Sequence, residues 1–401
     1  MRNLKRALSL ALAAIMLIGM MVVSASAVSY NDLTDKDQIV NKDAVSMLVS
    51  LGIIEGKPDG SYAPTENVDR AQMAKMLSVI MNKGVDNSAL YQSVNSGLVD
   101  VNTNWAKGHI NYCYTTGIIA GRGNGKFDPS ATVTALEAAK MLLVAVGYDP
   151  AIEGFEGADW AINVSVRADE QGIFEGFTKD LSAPLNRDDA ALLIYNALDV
   201  EMIQSYTTNN YPIAYSDHRT ILADKYGVIK VEGVVTANEW AILDDDTDTA
   251  LQEGKTRIYN PDGILSTTGN TAVAQDSSAN VKTQVFNVST PVDMLGKAVT
   301  MYVKKTTILA DSTVYGAPVV SDVNTVIETG EKVTGGDSKD DDSLAALLKG
   351  TGLATDKATE YYHNYEEVAI DSADVDDIMN VKGAALTVID NDNDGYVNYE
   401  I

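Results

Sequence analysis

Gly52-Ile53-Ile54-Glu55-Gly56, then Asp59-Gly60-Ser61-Tyr62-Ala63-Pro64, then Val68-Asp69-Arg70-Ala71-Gln72, is a stretch that recurs twice further along the chain. The second copy reads Gly117-Ile118-Ile119-Ala120-Gly121, Gly123-Asn124-Gly125-Lys126-Phe127-Asp128-Pro129 and Val133-Thr134-Ala135-Leu136-Glu137. The third is looser: Gly172-Ile173-Phe174-Glu175-Gly176, then Pro184-Leu185-Asn186-Arg187-Asp188-Asp189. The Gly-Ile anchors lie 65 and 55 residues apart. A fixed pattern at such spacing means one supersecondary unit used several times.

Each copy reads as two helices joined by a glycine-rich loop. In the first, Ile39, Val40, Ala44, Met47, Leu48 and Leu51 recur at helical spacing, and Gly52 supplies the left-handed residue that ends a helix. Asp59-Gly60 and Pro64 are turn chemistry. A second helix follows through Met73, Met76, Leu77 and Ile80. Asp69 with Gln72, and Thr134 with Glu137, have capping-box spacing; Asn186 and Asp189 share it, with a shorter acid in the reciprocal place.

The arginines do not follow from helix starting. Arg70 and Arg187 fall in a first helical turn, where the dipole disfavours a cation by a few tenths of a kcal/mol. The same unfavourable choice at equivalent places points to a partner. A guanidinium grips a carboxylate or phosphate bidentately, and helix-start N–H groups also point at an anion. The bland alternative is that each arginine pairs with a neighbouring acid and binds nothing. Copy two carries Ala135 at this place, so its corner is expected to bind weakly or not at all.

The pattern resembles the S-layer homology repeat, over roughly residues 29–200. The resemblance implies a secreted bacterial protein held non-covalently to the cell wall through a secondary wall polysaccharide. The arginine corner, a Thr-Arg-Ala-Glu motif in the family, helps form a groove for a glycan bearing ketal-linked pyruvate. It further implies three hairpins packed as a pseudo-threefold bundle. Repeat starts in the family read roughly Phe-Ser-Asp-Val followed by Trp-Ala. Tyr30-Asn31-Asp32-Leu33 matches the first part in copy one, and Leu98-Val99-Asp100-Val101 with Trp105-Ala106 matches both in copy two. Asp159-Trp160-Ala161 matches the second part in copy three. Expected polysaccharide contacts are therefore Arg70, Arg187, Asp32, Asp100, Trp105 and Trp160. A tryptophan at a helix start is also a common core residue, and that reading stands beside the sugar-stacking one.

The ends and the composition agree with export. Arg2, Lys5 and Arg6, the apolar run Ala7 to Val23 and Ala25-Ser26-Ala27 read as a signal peptide over residues 1–27. No later stretch is long and apolar enough to span a membrane. Cys113 is the single cysteine, so no disulfide forms within the chain. His109, His218 and His363 are scattered and read as surface or packing residues. The net charge of −26 argues against nucleic acid, whose affinity comes from neutralising phosphates. It also means that an acidic glycan must be met by local basic sites inside a repelling field.

Beyond residue 200 the character changes. Residues 201–225 read as a linker. Val228 to Thr236, Lys255 to Tyr259, Thr283 to Val288, Ala298 to Lys304 and Pro318 to Val326 are short and β-branched. They suggest a small all-β barrel or sandwich over residues 226–330. Asp244-Asp245-Asp246 falls between strands, and Gly335 to Asp342 is a charged loop. Residues 331–401 hold 17 acids against 5 bases. They close on a hairpin around Asp390-Asn391-Asp392-Asn393-Asp394-Gly395, which reads either as an acidic turn or as a weak calcium site on Asp390, Asp392 and Asp394. Position twelve of such a loop is Ile401, not the bidentate glutamate. The last strand runs to the last residue, as in the front part of a longer protein.

The expected architecture is multidomain α + β: repeats over 28–88, 89–150 and 151–200, then the β half. No catalytic motif is visible, and no cofactor is expected beyond calcium. The expected function is wall anchoring, with self-association into a surface array and no membrane or nucleic-acid partner. The rival is a wall-anchored glycan hydrolase whose catalytic part lies in the β half or is missing from this chain.

Overall fold

The computed structural model describes residues 30–243, 250–261, 263, 282–304, 312–328, 348, 350–355, 358–363, 365–367 and 387–401. The signal-peptide reading and the acidic stretches 244–246 and 335–342 lie outside them.

Six α-helices appear among the described residues: α1 (Lys42–Ser50), α2 (Arg70–Met81), α3 (Lys107–Thr115), α4 (Ala135–Val146), α5 (Trp160–Glu170) and α6 (Arg187–Leu198). Each repeat supplies two. Gly52, Gly117 and Gly172 follow the first helix of each repeat at φ of 69°, 79° and 68°, the left-handed turn that lets the chain leave the helix without a Cβ clash. The second helices start on side-chain caps. Asp69 with Gln72 and Thr134 with Glu137 form full capping boxes, whereas Asn186 accepts from the Asp189 N–H without reciprocation.

Three backbone hydrogen bonds tie the repeats into a closed cycle. Val68 N–H donates to Leu185 O, Leu185 N–H to Val133 O, and Val133 N–H to Val68 O, at 2.8, 2.8 and 2.9 Å. The orphan N–H groups of the second helices extend it: Arg70 and Ala71 donate to Ala131 and Pro129, Leu136 to Leu181, and Arg187 and Asp188 to Glu66 and Pro64. Helix packing follows the same order, with α2 on α3, α4 on α5 and α6 on α1. The core between them is apolar, including Met47, Leu48, Met73, Leu77, Ile110, Leu142, Leu143, Leu193 and Ile194.

Residues 201–225, expected as a linker, are structured. They form the antiparallel hairpin β1 (Ile203–Tyr206) and β2 (Pro212–Ala214), then a tight helical turn at Leu222–Tyr226. Ile221, Leu222 and Tyr226 are buried in the helical core. Tyrosine-rich polarity read as solvated linker because the few apolar residues show no period, yet Met202, Ile203, Ile221 and Leu222 find the bundle, while Tyr211 and Ile213 stay exposed.

The β half holds two five-stranded sheets. The first is antiparallel throughout, in the order β5 (Thr283–Phe286), β4 (Thr256–Tyr259), β3 (Val228–Ala237), β6 (Ala298–Lys304), β7 (Val314–Val320). The second is mixed, in the order β10 (Glu366–Glu367), β9 (Glu360–His363), β12 (Tyr399–Glu400), β11 (Thr387–Asp390), β8 (Thr325–Glu328), with β12 parallel to β9. Both orders are linear, so the barrel alternative gives way, among the described residues, to two open sheets. The fold class is mixed helix and sheet. The run Pro318 to Val326, expected as one strand, is broken by a turn whose Asn324 side chain is tied to Ala298 and Ser321. Its two ends serve different sheets. Tyr362, Tyr399 and Ile401 pack against Ile229, Val231, Phe286, Met301 and Val303, so the last hairpin belongs to the β core.

The halves touch directly. β7 lies on α1, and Tyr302 of β6 meets Tyr195 of α6 edge to face at 5.9 Å.

Candidate functional site

The arginine corners face grooves. Arg187 opens on a groove of about 260 Å³ whose walls include Glu55, Lys57, Gln72, Lys75, Met76 and Trp105. Arg70 opens on one of about 510 Å³ with Ala120, Arg122, Glu137, Lys140, Met141 and Trp160. The 65-residue spacing of the first two repeats relates the walls position by position: Glu55 to Ala120, Lys57 to Arg122, Gln72 to Glu137, Lys75 to Lys140, Met76 to Met141. The tryptophan comes from the following repeat and the arginine from the preceding one, so each groove is assembled from all three.

Each arginine is held by the loop it faces. Arg70 Nε donates to Phe127 O and Nη2 to Ala120 O, both at 2.8 Å, and the guanidinium lies 4.3 Å from the Phe127 ring centre. Arg187 repeats this with Tyr62 O at 2.7 Å, Glu55 O at 3.4 Å and the Tyr62 ring at 4.8 Å. The partners are main-chain carbonyls, and among the described residues neither arginine forms an ion pair with a carboxylate. That removes the bland alternative of an acid partner. Arg70 is only 5% exposed. Burial, aided by the nearby Arg122, pulls its pKa down to about 10, so it remains a cation at neutral pH.

Other cations on these walls were not read from the sequence. Lys75 pairs with Glu55 at 3.0 Å, and Lys57 with Glu66. Arg122 pairs with Glu137 at 2.8 Å. Lys140 donates to Phe155 O, with its ammonium 5.8 Å from the Trp160 ring centre. The signal for all four was their recurrence 65 residues apart.

The tryptophans are placed for contact. Trp105 is 58% exposed and Trp160 is half-buried. Asp100 turns inward instead: its carboxylate accepts from the N–H groups of Phe127 and Asp128 and pins the loop. Burial pushes its pKa up, but these hydrogen bonds outweigh it and hold the carboxyl below the ordinary aspartate value. The counterpart in repeat one is Asp35, which accepts from Tyr62 and Ala63 N–H at 2.7 Å each. Asp32 is exposed in a short turn and lines neither groove, so the expected match at Tyr30-Asn31-Asp32-Leu33 slips by three residues.

Ala135 belongs to a different groove than expected. Its helix start faces the loop of repeat three through Leu136 N–H to Leu181 O. There Leu192, against Gly176, takes the place of Lys75 and Lys140, and Val40 that of the tryptophan. Repeat two's own loop is fully equipped, by Arg70.

Ser78, His109 and Asp86 gather at 2.6 and 3.6 Å, residue types that a hydrolase uses. The geometry is structural. Ser78 is buried and donates its hydroxyl to Lys75 O, so it accepts from His109 Nδ1 and staples α2 to α3. Burial lowers the His109 pKa, with Asp86 opposing.

In the last hairpin Asp390, Asp392 and Asp394 each bring a carboxylate oxygen within 4.8 Å of the others. Asp390 is buried and accepts from the N–H groups of Asp392, Asn393 and Gly395 at 3.3, 2.8 and 3.1 Å. Burial, then the neighbouring Asp394, raise the Asp392 carboxyl.

Residues 29–74 and 99–139 match the S-layer homology domain. The chain carries S-layer homology repeats. Its likeness to known proteins extends past them. A cell surface protein of Thermoanaerobacter kivui is 29% identical over 273 residues, 67% of this chain and 32% of that protein. An S-layer protein of Bacillus licheniformis is 32% identical over 113 residues, covering 28% of this chain and 12% of the relative. An exoglucanase of Acetivibrio thermocellus is 29% identical over 192 residues, 44% of this chain and 17% of the enzyme. The chain thus spans a third or less of the length of these relatives. No helix among the described residues is long and apolar enough to cross a membrane.

Proposed function

We propose that this chain anchors itself non-covalently to the bacterial cell wall by holding an acidic, pyruvylated secondary wall polysaccharide in the two equipped inter-repeat grooves. Its place is the cell wall and surface layer. One observation carries the ligand reading: Arg70 is a buried cation that forms no ion pair with a carboxylate among the described residues, and it faces an open groove. A buried charge not directly paired is costly, and an incoming anion lowers that cost. Trp160 beside it offers a flat apolar face to a pyranose ring. The closed hydrogen-bond cycle supports reading the three repeats as a pseudo-threefold bundle, with the β half turned outward and available for self-association in an array.

The test is sedimentation of the full chain with purified wall sacculi, before and after removal of their polysaccharide. Binding that survives the removal overturns the reading. We read the chain as an anchor without catalysis of its own, since the serine and histidine of the triad-like cluster are buried and hydrogen-bonded to each other; release of sugars from the same sacculi would overturn that. Calcium at Asp390, Asp392 and Asp394 is a proposal of the same standing. It requires thermal unfolding to shift upward in millimolar calcium relative to chelator, and more than in equal magnesium.

A further inference from the structure

The two equipped grooves differ in how their wall charges are paired. Glu137, which stands where the other groove has Gln72, is taken up by Arg122, and the difference that bears on the wall lysine is at position 55 against 120. In the Arg187 groove the loop carbonyl that receives the arginine belongs to Glu55, whose carboxylate neutralises Lys75 at 3.0 Å. In the Arg70 groove the same carbonyl belongs to Ala120, which has no side-chain charge. Lys140, the counterpart of Lys75, donates to a carbonyl and faces the Trp160 ring; Glu156 of the same groove acts on it, but among the described residues no carboxylate reaches ion-pair distance. It is half-buried, and burial and Arg70 both depress its pKa while Glu156 opposes them. Arg122 and Lys57 do not distinguish the grooves, because each is already paired with a glutamate. Among the described residues, one groove thus offers a single cation that is not in a direct ion pair, and the other offers two.

We propose that the grooves are unequal: the Arg70 groove takes a glycan segment bearing two anionic groups, one at Arg70 and one at Lys140, and the Arg187 groove takes a segment bearing one. This deepens the anchoring reading and rests on it. Two anions placed together repel in water, so a site that receives both must supply two cations. The alanine at position 120 creates that second vacancy of charge, and Glu55 closes it in the other groove.

The test uses the full chain in calorimetric titration with two probes: a methyl hexoside carrying a pyruvate ketal, and the same hexoside carrying a phosphate as well. The expected result is two sites for the first probe, with the phosphorylated probe tighter at one of them by about tenfold or more. Lys140→Met removes that preference. Lys75→Met weakens the other site and leaves the preference in place. Glu55→Ala gives the second site a preference of its own, a gain that loss of folding cannot mimic. Equal affinity for both probes in the wild type, or a Glu55→Ala variant with unchanged affinities, overturns the inequality while leaving the anchoring reading standing. If neither probe binds the wild type, the reading and the inequality fail together.

Discussion

Arg70 has two duties, and they compete. Its Nε and Nη2 close the loop of the next repeat through Phe127 and Ala120, while the rest of the guanidinium opens on the groove. Hydrogen bonds from a charged donor contribute about 1.5–3 kcal/mol each, and its removal strands two carbonyls. Arg70→Ala should therefore lower stability by roughly 2–4 kcal/mol besides weakening glycan binding. Arg187→Ala should cost less, because Arg187 is only half-buried and its second bond is long at 3.4 Å. Thermal unfolding of both variants decides it; an Arg70→Ala melt at the wild-type temperature would show that the clamp contributes nothing. Asp100 is the matching anion of the loop. Its folded pKa lies below the unfolded one, so its contribution is present above about pH 4 and is lost as the pH falls through the folded value. Asp100→Ala should lower the melting temperature at pH 7 and bring wild type and variant together near pH 2. The arginines were legible in the sequence because a cation in a first turn opposes the dipole. The loop each one serves was not, since it lies in another repeat. Asp35 was missed for a similar reason: a four-residue match fixes no register, and the amides of Tyr62 and Ala63 decide which aspartate is used.

Between elements, the contact of α6 with the first sheet contains a second titrating group. Asp199 ends α6, where the helix dipole disfavours an anion, and burial pushes its pKa up to about 6, with Lys230 and Tyr302 opposing and Glu232 adding to the rise. About a third of its side chain still touches solvent, which tempers the effect. For an acid with a raised folded pKa, the extra stability is complete below the unfolded value near 4 and is lost as the pH rises through about 6. Asp199→Asn should then be more stable than wild type at pH 7, by about 1 kcal/mol after allowing for solvent, and indistinguishable at pH 4. A variant less stable at pH 7 would mean that the weak Lys230 contact at 3.9 Å outweighs burial. This contact was invisible in the sequence. Helix periodicity and β-branched runs gave the elements on either side, and Ala298 to Lys304 coincides with β6, but nothing local says that Tyr302 turns outward from its sheet to meet Tyr195. Pro318 to Val326 is a different case. Ser321-Asp322-Val323-Asn324 inside it is turn chemistry between two β-branched ends, and pairing with β6 on one side and β11 on the other shows that the chain turns there.

The molecule as a whole carries −26, and the polymer proposed for it is also acidic. Two electrostatic effects then act with opposite sign. At long range the chain repels its ligand, and this repulsion is screened over the Debye length, about 30 Å at 0.01 M salt and about 8 Å at 0.15 M. At short range the anion meets Arg70, itself only 5% exposed at the wall of the groove, and screening acts much less on a charge so buried. Raising salt from 0.01 to 0.15 M should thus remove more repulsion than attraction. Binding to wall polysaccharide should strengthen over that interval, with the association rate carrying most of the gain, since steering fields act on encounter. Beyond it the affinity should level off and then decline slowly. A basic protein on a polyanion behaves in the opposite way, losing affinity steadily because salt competes for every contact. Association of the full chain with immobilised wall polysaccharide, followed across this range, separates the two. A steady fall from the lowest salt would mean that exposed surface lysines hold the glycan, and that the buried arginine in the groove is not its main contact.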